Sequence, residues 1–154
     1  MAKLLHLALW EPEIPPNTGN IARLCAATDV SLHLIGRLGF RIGDREVKRA
    51  GLDYWPEVDL HQHATFAEFE EAVSTDRILC IETGTTRRYT ELVYRSGDCL
   101  LFGNESHGLP ITIRERFAQQ TFGIPMPGGK VRSLNLATAA GIVLYEALRQ
   151  IHGW

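Results

Sequence analysis

The sequence predicts an α/β fold with a largely parallel sheet in a single domain covering residues 1–154. Short apolar runs alternate with segments of helical periodicity, the order expected of parallel strands joined by helices. Several of these runs lack polar alternation, as strands buried on both faces do. The chain is long enough for one core, and no internal repeat, low-complexity stretch or linker divides it.

The individual elements follow from these patterns. Apolar runs predict strands within 3–10, 31–36, 58–63, 77–84, 98–105 and 121–130. Helical spacing predicts helices at 17–29, 65–74, 110–120 and 133–151, with a loop and a short helix across 44–55. We expect Asn17 or Thr18 to cap the first helix, and Ser133 and Asn135 to stand at the start of the last.

Composition and cysteine usage exclude several classes of protein. No run of 18 apolar residues occurs, so no membrane span is predicted. The apolar N-terminal run lacks a small-residue cleavage site and is typical of a first strand rather than a signal peptide. The cysteines are three in number, widely spaced and set in apolar runs, which predicts buried thiols in a cytoplasmic protein, with neither disulfides nor a metal site.

The net charge of −2 does not by itself indicate a nucleic-acid-binding protein. Thirteen of the sixteen basic residues are arginines, whose planar guanidinium suits phosphate recognition. Three clusters stand out, at 37–49, 87–88 and 130–132. Such clusters are more often solvated surface, so they indicate binding only if they flank a site.

Common catalytic and cofactor motifs are absent. No two glycines are separated by one residue, which excludes a G-x-G-x-x-G dinucleotide loop. The phosphate-binding loop, the H-E-x-x-H metal helix and the G-x-S-x-G nucleophile elbow are also missing. His61 and His63 could bind a metal, but no third ligand is evident, and we interpret them as surface histidines.

Three loops rich in glycine, proline and polar residues, at 10–25, 100–110 and 124–139, follow predicted strands. Ligands of open α/β sheets bind beyond the carboxyl ends of the strands. Gly103 comes directly after an apolar strand, where a missing Cβ would let a ligand approach, and Glu105 and His107 follow. The second and third loops together suit a flat ligand with polar edges, such as adenine.

The same loops resemble, in order and spacing, the three motifs of the SPOUT superfamily of RNA methyltransferases. The motifs are Asn17-x5-Arg23, "LLFGNESHGLP" and "IPMPGGKVRSLNLATA". Within that superfamily, "EPEIPPNTGNIARLC" and "RAGLDYW" resemble the tRNA 2′-O-methyltransferases that modify the wobble nucleotide at position 34, a cytidine or a modified uridine. The resemblance extends from about residue 4 to residue 150.

The resemblance implies a homodimer that binds S-adenosyl-L-methionine in a C-terminal trefoil knot, with each cofactor pocket facing Arg23 of the other subunit. It implies that Arg23 is the catalytic arginine, that Asn17, Glu105 and Asn135 surround it, and that Tyr145 is a functional tyrosine. The implied cofactor residues are Ile81, Gly103, Ile124, Met126, Ser133 and Leu134. No metal is implied.

The implied RNA substrate is the anticodon loop of tRNA, a single-stranded region that proteins read by stacking and by contacts to base edges. Tyr54 or Trp55 could stack on a base, and the negative net charge requires a basic patch concentrated across a dimer. The candidates for backbone contacts are Arg41, Arg45, Lys48, Arg49, Arg87, Arg88, Lys130 and Arg132.

The role of Arg23 stays open between a general base and a clamp that binds phosphate or stabilises oxyanion charge, because a guanidinium normally remains protonated. A structural pairing of Arg23 with Glu11 or Glu13 is the alternative. His107 stands where close relatives often have arginine, and "PGGKVRS" replaces a shorter polar stretch. Rival functions are a non-catalytic RNA-binding module and a small hydrolase that uses Glu105 and His107.

Overall fold

The computed structural model describes residues 3–43, 45, 49 and 55–154. Within this part of the chain, six strands form one sheet in the order β3-β2-β1-β5-β4-β6, and every paired strand is parallel to its neighbours. The strands are β1 (His6–Trp10), β2 (Ser31–Ile35), β3 (Leu60–His63), β4 (Ile78–Ile81), β5 (Cys99–Phe102) and β6 (Thr121–Phe122). The predicted parallel α/β class is confirmed.

Helices cover both faces of the sheet. They are α1 (Pro15–Thr28), α2 (Phe66–Val73), α3 (Ile111–Arg116) and α4 (Leu136–His152). Helices α1 and α4 pack with one face of the sheet into a single apolar cluster, and α2 and α3 pack with the other face into a second cluster. None of the described helices is long and apolar enough to cross a membrane.

The central strands are buried because both faces of the sheet are covered. Every residue of β2, β4 and β5 is buried. In β1, Leu7 and Leu9 point to the α1–α4 side and Ala8 points to the α2–α3 side, as the two-residue period of a strand requires. Burying a leucine side chain stabilises the fold by about 1.5–3 kcal/mol, so these strands form a rigid base for the loops that follow them.

The first helix begins earlier than predicted, so the expected cap at Asn17 or Thr18 is wrong. Ile14 occupies the capping position and Pro15 begins the helix, because proline has a helical φ and lacks only an N–H that would be unpaired there. Asn17 and Thr18 therefore lie buried in the first turn. At α4 the prediction holds in part: Asn135 is the cap and accepts a hydrogen bond from Thr138 N, whereas Ser133 precedes the helix.

Other predicted elements agree with the structure. Cys25, Cys80 and Cys99 are buried, free thiols, as predicted. The last strand is confirmed only as the two residues of β6. Most of the predicted short helix within 44–55 lies outside the described residues.

The histidines of β3 belong to a chain of imidazoles that crosses three strands. His6 Nδ1 lies 3.0 Å from His33 Nε2, and His33 Nδ1 lies 2.9 Å from His63 Nε2. His61 is exposed as predicted, but His63 is half-buried and linked to the fully buried His33, which the sequence analysis did not foresee. Among the described residues, no group of three or more histidine, cysteine or acidic side chains could hold a metal ion.

Burial lowers the pKa of His33 to about 3 and also lowers the pKa values of His6 and His63. The nearby charges are mixed: Asp59 and Glu68 favour protonation, whereas Lys3 and His61 oppose it. An unfolded histidine has a pKa near 6.5, so below that pH the unfolded chain binds more protons than the folded one. The free energy of unfolding must therefore fall as the pH drops below about 6.5.

We predict that protonation of His33 in the unfolded chain lowers the free energy of unfolding by roughly 1 kcal/mol as the pH falls from about 6 to about 5. Urea unfolding across this range measures the slope. His33→Gln, which cannot titrate, should flatten it, and the matched control His152→Gln, at the exposed end of α4, should not. An equal slope in His33→Gln and the unmodified protein would contradict the prediction.

Candidate active site

A cavity of about 480 Å³ lies at the carboxyl edge of the sheet. Its walls come from the ends of β4 and β5, from the loop 103–108, and from the segments 124–126 and 132–136. This position and size are typical of small-molecule sites in parallel α/β proteins. The predicted location of the site is thus where the structure has a cavity.

The loop after β5 is a tight turn that folds back on its own beginning. Asn104 and Gly108 exchange backbone hydrogen bonds, and Asn104 Oδ1 accepts another from His107 N at 2.8 Å. A Cβ on Gly103 would lie 2.1 Å from the carbonyl carbon of Gly108 and 2.3 Å from Leu109 N. Glycine is therefore required here because the chain's own backbone approaches, which differs from the ligand approach expected from the sequence.

Glu105 connects this turn to the start of α1. Its carboxylate accepts hydrogen bonds from Glu13 N at 2.9 Å, from Ile14 N at 2.8 Å and from Asn17 Nδ2 at 3.2 Å. Asn17 Oδ1 in turn accepts a hydrogen bond from Asn135 Nδ2 at 3.0 Å. Three segments far apart in sequence are held together by this network, which we call the Glu105 network.

The side chain of Glu13 returns a bond to the same turn. Glu13 Oε1 accepts a hydrogen bond from Ser106 N at 3.1 Å, while Glu13 N donates to Glu105. Hydrogen bonds to ionised groups are the stronger kind, each contributing about 1.5–3 kcal/mol. The two loops are thus joined in both directions at the mouth of the cavity.

Every residue expected to bind the cofactor lines the cavity. These residues are Ile81, Gly103, Ile124, Met126, Ser133 and Leu134. Asn17, Glu105 and Asn135 line it too, as do His107 and Arg132. The structure brings together most of the residues singled out in the sequence.

Arg23 and Tyr145 are placed differently. Both are exposed, on α1 and α4 respectively, and neither is among the described residues that line this cavity. The carboxylates of Glu11 and Glu13, the alternative partners of Arg23, accept hydrogen bonds from the backbone N–H groups of Arg37 and Ser106. Within one subunit, the structure does not bring Arg23 into the cavity with the other site residues.

The basic candidates fall into two groups. Arg87 binds its own protein, since its guanidinium donates to Gln119 O at 2.6 Å and to Ala118 O at 2.8 Å. Of the two aromatic candidates for stacking on a base, Trp55 is half-buried against the core. Lys48 and Tyr54 lie outside the described residues. The exposed basic candidates are Arg41, Arg45, Arg49, Arg88, Lys130 and Arg132.

Sequence reasoning missed Glu82, which follows β4 directly and lines the cavity. Its Oε1 accepts a hydrogen bond from Leu109 N at 2.5 Å. Burial raises the pKa of this carboxyl, while the Leu109 bond and the charge of Arg114, another lining residue, act in the opposite direction. An acidic residue at the end of a buried apolar run was the available signal.

The fold and the cavity define an α/β protein with a site of small-molecule size at the carboxyl edge of its parallel sheet. Comparison with known families makes the assignment specific. The SpoU rRNA Methylase family matches residues 4–145, and the chain belongs to this family.

Individual relatives cover the same range. The tRNA (cytidine(34)-2′-O)-methyltransferase of Aeromonas hydrophila subsp. hydrophila is 46% identical over 149 residues, which are 96% of this chain and 95% of the relative. A solved structure described as "Structural insights into the 2-OH methylation of C/U34 on tRNA" is 50% identical, with a TM-score of 0.93 and 99% of each chain covered. The AdoMet-bound rRNA methyltransferase from Sinorhizobium meliloti is 27% identical, with a TM-score of 0.85, and 97% of this chain and 57% of that chain are covered.

We predict that Gly103→Ala lowers the free energy of unfolding by about 1–3 kcal/mol, because its Cβ would overlap the Gly108–Leu109 backbone. Gly128→Ala is the matched control, since a Cβ there meets nothing within 4 Å. Urea denaturation of both variants gives the comparison. Equal stability of the two variants would contradict the proposed reason for the glycine.

Proposed function

We propose that this protein transfers the methyl group of S-adenosyl-L-methionine to the 2′-oxygen of the ribose at position 34, a cytidine or a modified uridine, in the anticodon loop of tRNA. The observation that carries the proposal is full-length identity of 46% to a tRNA (cytidine(34)-2′-O)-methyltransferase, combined with a formed cavity at the matching loops. The new bond joins the methyl carbon to the 2′-oxygen, the S–CH3 bond breaks to leave S-adenosylhomocysteine, and the hydroxyl proton passes to solvent.

The cavity fits the adenosine part of the cofactor. Ile81, Ile124, Met126 and Leu134 supply apolar surface for a flat base, and the surrounding loop backbone supplies hydrogen-bonding groups for its edge. Ser133 and Gly103 complete this proposed pocket. When bound, the cofactor supplies a methyl group on a positively charged sulfur.

We further propose a homodimer in which Arg23 of one subunit faces the cavity of the other. The exposure of Arg23 outside its own cavity supports this arrangement. Exposed apolar side chains near the same helices, Ile14 and Tyr145, offer surface for a subunit contact. The homodimer that the sequence resemblance implies agrees with it.

In this arrangement Arg23 acts as a cation rather than as a base. A guanidinium stays protonated at neutral pH, so it stabilises negative charge that develops on the 2′-oxygen and holds the adjacent phosphate. The Glu105 network positions α1, which carries Arg23, relative to its own cavity mouth. Tyr145 contributes to the dimeric site in the same proposal.

The trefoil knot of the C-terminal region is also part of the proposal. Support comes from the resemblance of the loops at 100–110 and 124–139 to the second and third SPOUT motifs. Membership of the SpoU family agrees with such a knot.

For the tRNA, we propose that exposed cations beside the cavity contact the anticodon-loop phosphates. Arg132 lines the cavity, and Lys130 and Arg88 are exposed. We omit Arg87 because its guanidinium already binds two backbone carbonyls. We also propose a cytoplasmic location, which the proposed tRNA substrate supports.

The test is methyl transfer from labelled S-adenosyl-L-methionine to tRNA from cells that lack the position-34 mark, with the product mapped by nuclease digestion and mass spectrometry. We expect a 2′-O-methyl group on nucleotide 34. Arg23→Ala should slow transfer by about 10²–10³-fold, the cost of losing one oxyanion-stabilising group. Arg95→Ala, an exposed arginine in the turn before β5, is the control and should act normally. Methylation of a base, or undiminished transfer by Arg23→Ala, would contradict the proposal.

Mixed dimers extend the same assay to the shared site. Arg23→Ala is combined with Ile124→Trp, whose indole would occupy part of the proposed base pocket, and each variant alone should retain about 1% of the normal rate or less. Random exchange of subunits would restore about a quarter of the sites, because half of the dimers would contain one complete site of two. If Arg23 served the cavity of its own subunit, the mixture would stay inactive.

A further inference from the structure

Glu82 is a carboxylate inside the cavity that the reaction described above does not use. It follows Ile81 directly at the carboxyl end of β4, and its backbone N–H donates to Phe122 O at 3.0 Å. This bond places it beside the segment that leads to Ile124, the proposed wall for the base. Glu82 therefore borders the proposed base pocket.

The protein uses only part of the hydrogen-bond acceptor capacity of the Glu82 carboxylate. It accepts hydrogen bonds from Leu109 N and from the backbone of Thr83, whereas two carboxylate oxygens can accept about four. The ion pairs found among the described residues do not include Glu82, although the charge of Arg114 acts on it from a distance. A half-buried carboxylate with remaining acceptor capacity favours a ligand that brings O–H or N–H donors.

The contrast with Glu105 separates the two acidic residues of the cavity. Glu105 already accepts three hydrogen bonds from the protein, two of them from backbone N–H groups at the start of α1. Its role is to join loops at the cavity mouth. Glu82 lines the same cavity beside the segment that leads to Ile124, and it retains acceptor capacity for a ligand.

We propose that Glu82 binds the two ribose hydroxyls of the adenosine part of S-adenosyl-L-methionine and thereby selects a ribose-containing cofactor. The ribose is bonded directly to the base, so it lies beside the base pocket that Glu82 borders. Adjacent hydroxyls present two donors to one carboxylate, and an acidic residue plays this part toward ribose in dinucleotide-binding α/β folds. The proposal rests on the cofactor assigned under the proposed function.

The test compares S-adenosylhomocysteine with its 2′,3′-dideoxyribose analogue by isothermal titration calorimetry. The unmodified protein should bind the diol form at least about tenfold more tightly, as the loss of hydrogen bonds to a charged acceptor implies. Glu82→Gln keeps one carbonyl oxygen for Leu109 N but loses the charge and the second acceptor oxygen. Its preference for the diol should fall to about threefold or less.

Two controls keep the result specific. Glu115→Gln, on the exposed side of α3, should retain the full preference, and thermal unfolding should show that each variant is folded. 5′-Methylthioadenosine lacks the amino acid part of the cofactor. The Glu82→Gln substitution should lower its affinity by the same factor as it lowers the affinity of S-adenosylhomocysteine. If the loss disappears with this probe, the carboxylate binds the ammonium group and the proposal is wrong.

Other outcomes also overturn the proposal. Equal weakening of the diol and dideoxy probes in Glu82→Gln would assign Glu82 to holding the Leu109 loop alone. If Glu82→Gln left the affinities of both probes unchanged, the ribose contact would lie elsewhere. Failure of the unmodified protein to bind S-adenosylhomocysteine would overturn the cofactor assignment as well, which distinguishes that failure from the others.

Discussion

The hydrogen bonds of the Glu105 carboxylate are the interaction on which the site depends. This side chain accepts hydrogen bonds from two backbone N–H groups and one side-chain amide of residues 13–17. Asn17 in turn accepts a hydrogen bond from Asn135. These bonds join the 103–108 turn to the start of α1, and the start of α1 to the start of α4, so none of the three segments can move far without breaking a hydrogen bond. The cavity keeps its shape because these bonds fix its mouth while the buried strands fix its floor.

The rest of the structure supports that interaction. The continuous burial of β4 and β5 holds the strand ends in fixed positions, and Gly103 allows the chain to fold back so that Glu105 lies opposite residues 13–17. The imidazole chain of His6, His33 and His63 crosses β1, β2 and β3. His33 and His63 contact Phe69 of α2, and none of the three histidines lines the cavity. The pH sensitivity of the imidazole chain therefore concerns the stability of the fold rather than the chemistry of the site.

The sequence predicted what depends on local pattern. Apolar runs located the strands, and the glycine- and proline-rich loops located the cavity. The six expected cofactor residues, which came from the resemblance, lie on its wall. The first helix was placed too late because polar Asn17 looked like a cap, whereas the fixed φ of Pro15 begins the helix and Asn17 serves Glu105. The His33 chain and Glu82 were missed because both depend on strand register and loop contact. The proposed knot and the role of Arg23 come from resemblance and could not follow from spacing.

Amide hydrogen exchange in Glu105→Gln tests the central claim most directly. A glutamine can accept at one oxygen but presents an amide group to the remaining donors, so the bonds to Glu13 N and Ile14 N cannot all persist. We expect these amides to exchange at least about tenfold faster than in the unmodified protein, with the amides of β2 unchanged. Unchanged exchange at residues 13 and 14 would show that the loops are held by other contacts and would contradict the account.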